Sequence, residues 1–88
     1  TKDDIVKIEN YKPKFGTQEF HARNYFMFSF YMIGMNFSDI AHLKYSNIKN
    51  NRLEYHRKKT GRFYSLELYD KPLDIIDIYR KNNFIFNP

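Results

Sequence analysis

The sequence contains no cysteine, and this absence limits how the fold can be held together. Neither disulfides nor thiolate metal sites are available, so stability has to come from packing, as is usual in a reducing compartment. Histidine offers no replacement, because His21, His42 and His56 lack the spacing of metal ligands. A glycine-rich phosphate loop and a Gly-x-Ser-x-Gly elbow are also missing. The sequence therefore predicts neither a metal nor a cofactor.

Long apolar runs are lacking as well. The most apolar segment, residues 25–35, is too short to span a bilayer and is bounded by Arg23 and Asp39. The chain opens on acidic residues and has no apolar stretch typical of a signal peptide. We therefore expect a cytoplasmic protein that does not enter the membrane.

Acidic residues are in the minority. The chain has 15 Lys and Arg against 10 Asp and Glu, a formal net charge of +5. Residues 52–62 alone contain five cations and one acid. Such a cluster favours a polyanionic partner, and nucleic acid rather than a membrane, because no amphipathic basic helix accompanies it. Ordinary surface charge is the alternative that composition leaves open.

Aromatic residues are abundant. A chain of 88 residues is long enough for one domain with one core, but short for a complete enzyme. Nine Phe and eight Tyr supply that core, and each buried ring contributes about 1.5–3 kcal/mol through the area it removes from water. These aromatic residues exceed what a core of this size can hide. Exposed apolar surface and self-association are therefore expected.

Two helices are predicted in the first half of the chain. Thr1 opens a capping box that begins a helix over residues 3–10. Thr17 caps a second helix over residues 18–33, which is apolar on nearly every side and is therefore expected to be central and buried. Periodicity leaves a strand over residues 25–31 open, although the length of the segment favours a helix.

Two further helices are predicted along the rest of the chain. Asn36 begins one over residues 37–44, directly after a tight corner at Gly34, and its third residue is an acid that completes a capping box. Asp70 caps the other, over residues 71–81, whose first turn tolerates a proline. Beyond it an extended tail is expected.

A basic β-hairpin over residues 52–68 separates these two helices. Polar and apolar residues alternate in both arms, residues 52–57 and 63–68, so each arm has one face for the core. Asn50 and Asn51 favour a left-handed turn before the first arm. The tip consists of Lys58, Lys59, Thr60, Gly61 and Arg62, where the glycine supplies a positive φ. The predicted fold class is α+β, mostly helical with one antiparallel β-hairpin.

The same hairpin supplies the candidate DNA-binding residues. A tip rich in Lys and Arg can face only water or a polyanion such as duplex DNA. The candidates are Arg52, Arg57, Lys58, Lys59, Thr60 and Arg62. A solvated turn whose charges merely attract phosphates is the alternative.

Three segments, taken in this order, resemble the pattern of one known family. They are residues 22–31 (Ala-Arg-Asn-Tyr-Phe-Met-Phe-Ser-Phe-Tyr), 34–43 (Gly-Met-Asn-Phe-Ser-Asp-Ile-Ala-His-Leu) and 57–61 (Arg-Lys-Lys-Thr-Gly). The set resembles the N-terminal part of the catalytic domain of tyrosine recombinases, the phage-integrase superfamily, and especially the integrases of conjugative transposons. The resemblance covers most of residues 1–88. It implies a protein that integrates or excises DNA, by cleaving and rejoining strands through a 3′-phosphotyrosine.

The resemblance implies roles for single residues. In the family, a lysine at the tip of this hairpin protonates the 5′-oxygen leaving group, and Lys59 matches that position, with Lys58 as the alternative. The first family arginine follows the corner glycine in a Gly-x-Arg-x-x-Glu pattern. Asn36, which also reads as a helix cap, occupies its place, and Asp39 matches the acid. Some members carry the arginine directly before the glycine, where this chain has Ile33, so neither slot holds a guanidinium.

The second half of the family's active site is not expected in this chain. The family also needs a His-x-x-Arg box followed by a tyrosine nucleophile, and no histidine here has arginine at the third following position. The tyrosines all precede the place where the box belongs, so none is assigned as the nucleophile. We expect the parent protein to be the enzyme and this chain to be inactive alone, at most binding DNA. A small protein-interaction module and a DNA-binding regulator of an active integrase are the alternatives.

Overall fold

The computed structural model describes residues 1–82 and shows an α+β fold, as predicted. Its elements, in chain order, are α1 (Lys2–Asn10), α2 (Gln18–Tyr31), α3 (Phe37–Ala41), a 3-10 helix (Tyr45–Asn47), β1 (Ile48–Lys49), β2 (Arg52–His56), β3 (Phe63–Glu67) and α4 (Asp70–Lys81). The tail predicted after the last helix falls mainly on residues 83–88, which lie outside the described residues.

Polar side chains fix the beginnings of the first three helices. Thr1 forms the predicted capping box of α1 with Asp4. The hydroxyl oxygen of Thr17 caps α2. The Oδ1 atom of Asn36 accepts the backbone N–H of Ser38 at 2.8 Å at the start of α3. Each such cap stabilises a helix by about 1 kcal/mol, because it satisfies an N–H group that has no partner inside the helix.

The ends of α3 and α4 differ from the predicted bounds. α3 ends at Ala41 rather than at residue 44, because the N–H of Lys44 donates to the Oδ1 atom of Asn47 at 2.8 Å and starts the 3-10 helix instead. Asp70 is the first residue of α4 and not its cap. The N-cap is Tyr69, whose side chain makes no capping hydrogen bond.

The corner after α2 has unusual backbone geometry. α2 ends at Tyr31, two residues before its predicted end, and Ile33 and Gly34 follow with positive φ angles of 60° and 76°. The carbonyl of Ser29 accepts the N–H groups of Gly34 at 2.8 Å and of Met35 at 3.3 Å. Glycine adopts this left-handed conformation freely, whereas a β-branched residue is strained in it.

The sheet has three antiparallel strands in the order β1-β2-β3, so the prediction of a single hairpin is incomplete. Asn50 and Asn51, with φ angles of 52° and 59°, form the predicted left-handed turn, and this turn joins β1 to β2. β2 pairs with β3 in a register that places Tyr55 opposite Tyr64. Two-residue β1 was missed because so short a segment has no periodicity.

The core lies between α2, α4 and the inner face of the sheet. Its most deeply buried apolar side chains are Met27, Phe28, Ile40, Leu53, Ile76 and Tyr79. The hydroxyl of Tyr79 on α4 lies 2.7 Å from the Nδ1 atom of His21 and joins α4 to α2. The prediction that α2 is buried on nearly every side is wrong at its C-terminal end, where Phe30 is 50% exposed.

Candidate nucleic-acid interface

Asp39 holds the tip of the β2–β3 hairpin against the start of α3. One carboxylate oxygen accepts the backbone N–H of Lys58 at 3.1 Å, and the other lies 3.7 Å from the Nε atom of Arg57. Asp39 is only 7% exposed, so these contacts satisfy a buried charge. Asp39 therefore positions the hairpin. The capping box predicted for α3 is not formed, because Asn36 accepts the N–H of Ser38 and not that of Asp39.

The tip has a defined internal structure. The N–H of Arg57 donates to the carbonyl of Arg62 at 2.8 Å, and the N–H of Gly61 donates back to the carbonyl of Arg57 at 2.6 Å. The hydroxyl oxygen of Thr60 accepts the N–H of Arg62 at 3.2 Å. Gly61 has a φ of 72°, as the sequence predicts. The cations of the tip are therefore carried on a hydrogen-bonded turn.

A cleft of about 310 Å³ lies between α3 and this tip. Its walls are formed by Asn36, Ser38, Asp39, Arg57, Lys58 and Lys59. Lys59 and Asn36, the two residues given roles by the family resemblance, thus line the same cleft. Arg57 brings to it the guanidinium that both corner positions lack. An amide, a guanidinium and ammonium groups around one cavity can bind a phosphate.

Lys58 and Lys59 have different surroundings. The Nδ1 atom of His42 lies 2.7 Å from the carbonyl oxygen of Ser38, which can only accept, so Nδ1 carries the proton. In the neutral imidazole the Nε2 atom is then the acceptor, and the ammonium of Lys58 lies 3.5 Å from it. Within residues 1–82, the ammonium of Lys59 has neither a hydrogen bond nor an ion pair. Lys59 is thus the lysine whose charge is available to a ligand.

The other candidate residues lie at both ends of the hairpin. The guanidinium of Arg62 lies 5.7 Å from the ring centre of Tyr64, close to the tip. Arg52 is at the opposite end of β2, where its Nε and Nη2 atoms donate to the hydroxyl and the carbonyl of Ser65 at 2.9 and 3.1 Å. The structure therefore does not bring Arg52 to the cleft.

A second depression of about 340 Å³ adjoins the cleft and shares Asn36 and Arg57 with it. We call it the corner groove, and its remaining walls are Met32, Ile33, Gly34, Met35, Tyr55, Tyr64 and Leu66. It is mainly apolar. The sequence does not indicate this groove, because its walls come from the corner after α2 and from two strands that are distant along the chain.

The surroundings of several tyrosines oppose their ionisation. Burial raises the pKa of Tyr55 and of Tyr79, and it raises the pKa of Tyr25 to about 12. The ring of Tyr55 stacks on that of Tyr64 with the centres 5.7 Å apart. These three phenols remain protonated at neutral pH and serve in packing.

Within the described residues, no group of His, Asp and Glu could hold a metal ion. Nor is any helix in residues 1–82 both long and apolar enough to cross a membrane.

By fold and site, the described residues form an α+β unit with a cationic cleft between α3 and a lysine-bearing hairpin. Comparison of the chain with protein-family models, with curated proteins and with solved structures gave no match. Its function has to be inferred from the chemistry of the cleft.

Proposed function

We propose that this chain is a DNA-binding part of a site-specific tyrosine recombinase, and that the cleft between α3 and the hairpin tip binds a backbone phosphate. The supporting observation is that Lys59, Asn36 and Arg57 line one cleft. Arginine and lysine make charge-assisted hydrogen bonds to phosphate oxygens, and contacts of this kind set the position of a protein on duplex DNA.

Asn36 can cap α3 and contact a phosphate at the same time. Its Oδ1 atom accepts the N–H of Ser38, which leaves the two N–H groups of its amide for a ligand in the cleft. The cap and the proposed phosphate contact therefore use different atoms of one side chain. The amide supplies one neutral hydrogen bond where the family has a guanidinium, and Arg57 supplies the charge.

In the intact recombinase, the proposal makes Lys59 the proton donor to the 5′-oxygen leaving group. A long stem and a titratable ammonium suit this role, which a guanidinium cannot readily fill. Lys59 is favoured over Lys58 because the ammonium of Lys58 faces His42. The chain alone is proposed to bind DNA without cleaving it, because it has no assigned nucleophile. Duplex DNA as partner and the cytoplasm as compartment remain predictions.

Fluorescence anisotropy with a labelled duplex, measured at two salt concentrations, tests this proposal. Binding should weaken steeply with salt, with a slope of about 0.9 in log Kd for each phosphate contact. The double variant Lys58→Ala/Lys59→Ala should bind more weakly and lower the slope by about 1, the contribution of the Lys59 contact. A matched control is Lys12→Ala/Lys14→Ala, which removes the same charge from the α1–α2 connection. Salt-independent binding, or equal losses in both double variants, contradicts the proposal.

A second candidate function is a protein-interaction module, including self-association. It is favoured by large apolar side chains that are more than half exposed, namely Phe15, Ile33, Phe37 and Phe63. Sedimentation velocity at several concentrations tests it. A sedimentation coefficient that rises with concentration supports association, and a constant value for the monomer opposes it.

A further inference from the structure

The corner between α2 and α3 presents a strained apolar residue to solvent. Ile33 has a φ of 60° and is 85% exposed. A β-branched side chain in this left-handed conformation is unfavourable and persists only where its surroundings impose it. Strain of this kind concentrates at functional sites. Because the side chain of Ile33 gains almost no burial here, core packing does not account for it.

The surroundings of Ile33 fix the corner from several directions. Its own N–H donates to the carbonyl of Phe30 at 3.2 Å. The Ser29 carbonyl accepts the next two N–H groups, and the Ser29 hydroxyl donates to the carbonyl of Met35 at 2.6 Å. These hydrogen bonds therefore fix the backbone conformation at Ile33.

Ile33 also lies beside the cations of the cleft. It lines the corner groove together with Asn36 and Arg57, and both of these also line the phosphate cleft. The only acid among the residues that line either cavity is Asp39, which is buried and bonded to the hairpin. A partner that contacts both the cleft and the corner groove therefore fits best if it is anionic beside Arg57 and apolar beside Ile33.

We propose that Ile33 is an apolar wedge that enters the minor groove of duplex DNA and partly unstacks a base step next to the phosphate held by Arg57 and Lys59. This inference rests on the proposed function. A duplex has its phosphates outside and its apolar surface between the bases, and apolar side chains, isoleucine among them, kink DNA by insertion at such steps. Flexible TA steps yield most easily, and stiff A-tracts resist.

Two substitutions distinguish the effect of the Ile33 side chain on DNA from the effect of its backbone strain on stability. Ile33→Gly and Ile33→Asn both remove the apolar side chain, and both replacements tolerate positive φ. Each should raise Tm by a few degrees, because the strain is relieved. A matched control is Asn51→Gly. It also places glycine at a position with positive φ, 59°, but this position precedes β2 and lies at the end of that strand away from the hairpin tip.

The probes are two duplexes of equal length, about 30 base pairs, one with a central TA step and one with an A-tract, each labelled at both ends for energy transfer. The unaltered chain should bind the TA duplex about fivefold more tightly and shorten its end-to-end distance. Both Ile33 variants should bind the two duplexes equally, without bending and with an unchanged salt slope. Asn51→Gly should keep the preference and the bending.

Each other outcome overturns the inference. If Ile33→Gly keeps the preference and the bending while Lys58→Ala/Lys59→Ala loses binding, the wedge is wrong and the proposed function stands. If the unaltered chain shows no salt-dependent binding, both fail. If Ile33→Gly abolishes self-association and leaves DNA bending unchanged, Ile33 is a protein contact and not a wedge.

Discussion

Asp39 binds the backbone N–H of Lys58 at 3.1 Å, so a buried carboxylate on α3 holds the main chain of the hairpin tip. Its other oxygen lies 3.7 Å from Arg57. The placement of the lysines beside α3 therefore depends on a side chain that is itself turned away from solvent.

Substitution of Asp39 should destabilise the chain. Asp39→Ala leaves a hydrogen-bond donor of Lys58 without its acceptor and removes the charge beside Arg57, so we expect the free energy of unfolding to fall by about 2–4 kcal/mol. Asp39→Asn keeps an acceptor and should lose less. Urea denaturation measures both. Asp77→Ala, an exposed change on α4, serves as the control, and an equally small effect at both positions would show that the tip is held by other contacts.

Introducing a cation at position 36 should strengthen DNA binding at a cost in stability. Asn36→Arg adds a charge to the cleft and should increase the salt slope by about 1. It also removes the cap of α3 and should destabilise the chain by about 1 kcal/mol, whereas Asn36→Ser keeps the cap. Gln18→Arg adds the same charge at the start of α2. An equal gain in affinity at both positions would argue against a phosphate site at Asn36.

Low pH should weaken the attachment of α1 by protonating Glu9. The ammonium of Lys71 donates to the Glu9 carboxylate at 2.7 Å and the hydroxyl of Tyr31 donates as well, and together they lower its pKa. Because the folded pKa lies below the unfolded one, the stabilisation is complete above the ordinary glutamate value of about 4.3 and is lost as pH falls through the folded pKa. No α1 residue is fully buried, and only Ile5 and Ile8 pack partly against the core, so the Glu9 contacts contribute to holding this helix.

Glu9→Gln should accordingly lower Tm at neutral pH and flatten the fall of Tm below about pH 4.3. Thermal melts followed by circular dichroism across this range measure the effect. Asp77→Asn is the control. A fall of the same steepness in the Glu9 variant would exclude this contact as the cause.

Alkali should unfold the chain through its buried phenols. Burial raises the pKa of Tyr25 to about 12. Because an unfolded tyrosine ionises near pH 10, stability from this burial is complete below about pH 10 and is lost as pH rises towards the folded pKa. Tyr25→Phe should reduce the loss of stability per pH unit. Tyrosinate absorbance, compared with the same titration in urea, measures it, and identical titrations in both conditions would contradict the burial effect.

Features that depend on near neighbours in sequence could be predicted. The caps at Thr1, Thr17 and Asn36 involve partners within three residues, and the turn at Asn50 and Asn51 depends on the residues themselves. Features that depend on tertiary contacts could not be predicted in the same way. Asp39 has the spacing of a capping residue. Its carboxylate instead accepts the N–H of Lys58, which is 19 residues away in the sequence.

In the candidate site too, the sequence indicates single residues, whereas their arrangement depends on tertiary contacts. Lys59 and Asn36 were singled out through a family resemblance, and their common cleft depends on how the hairpin meets α3. Ile33 could be read from the sequence only as a position without a guanidinium. Its positive φ and its exposure arise from the hydrogen bonds of Ser29, which no periodicity indicates.

The central position of β2 has a consequence for the order of folding. β2 belongs to two hairpins, each closed by a short turn, whereas His21 and Tyr79 join α2 to α4 across 58 residues of chain. Short loops close with a smaller loss of entropy than long ones, and local pairings form faster. We therefore expect the sheet to assemble before α4 docks on α2.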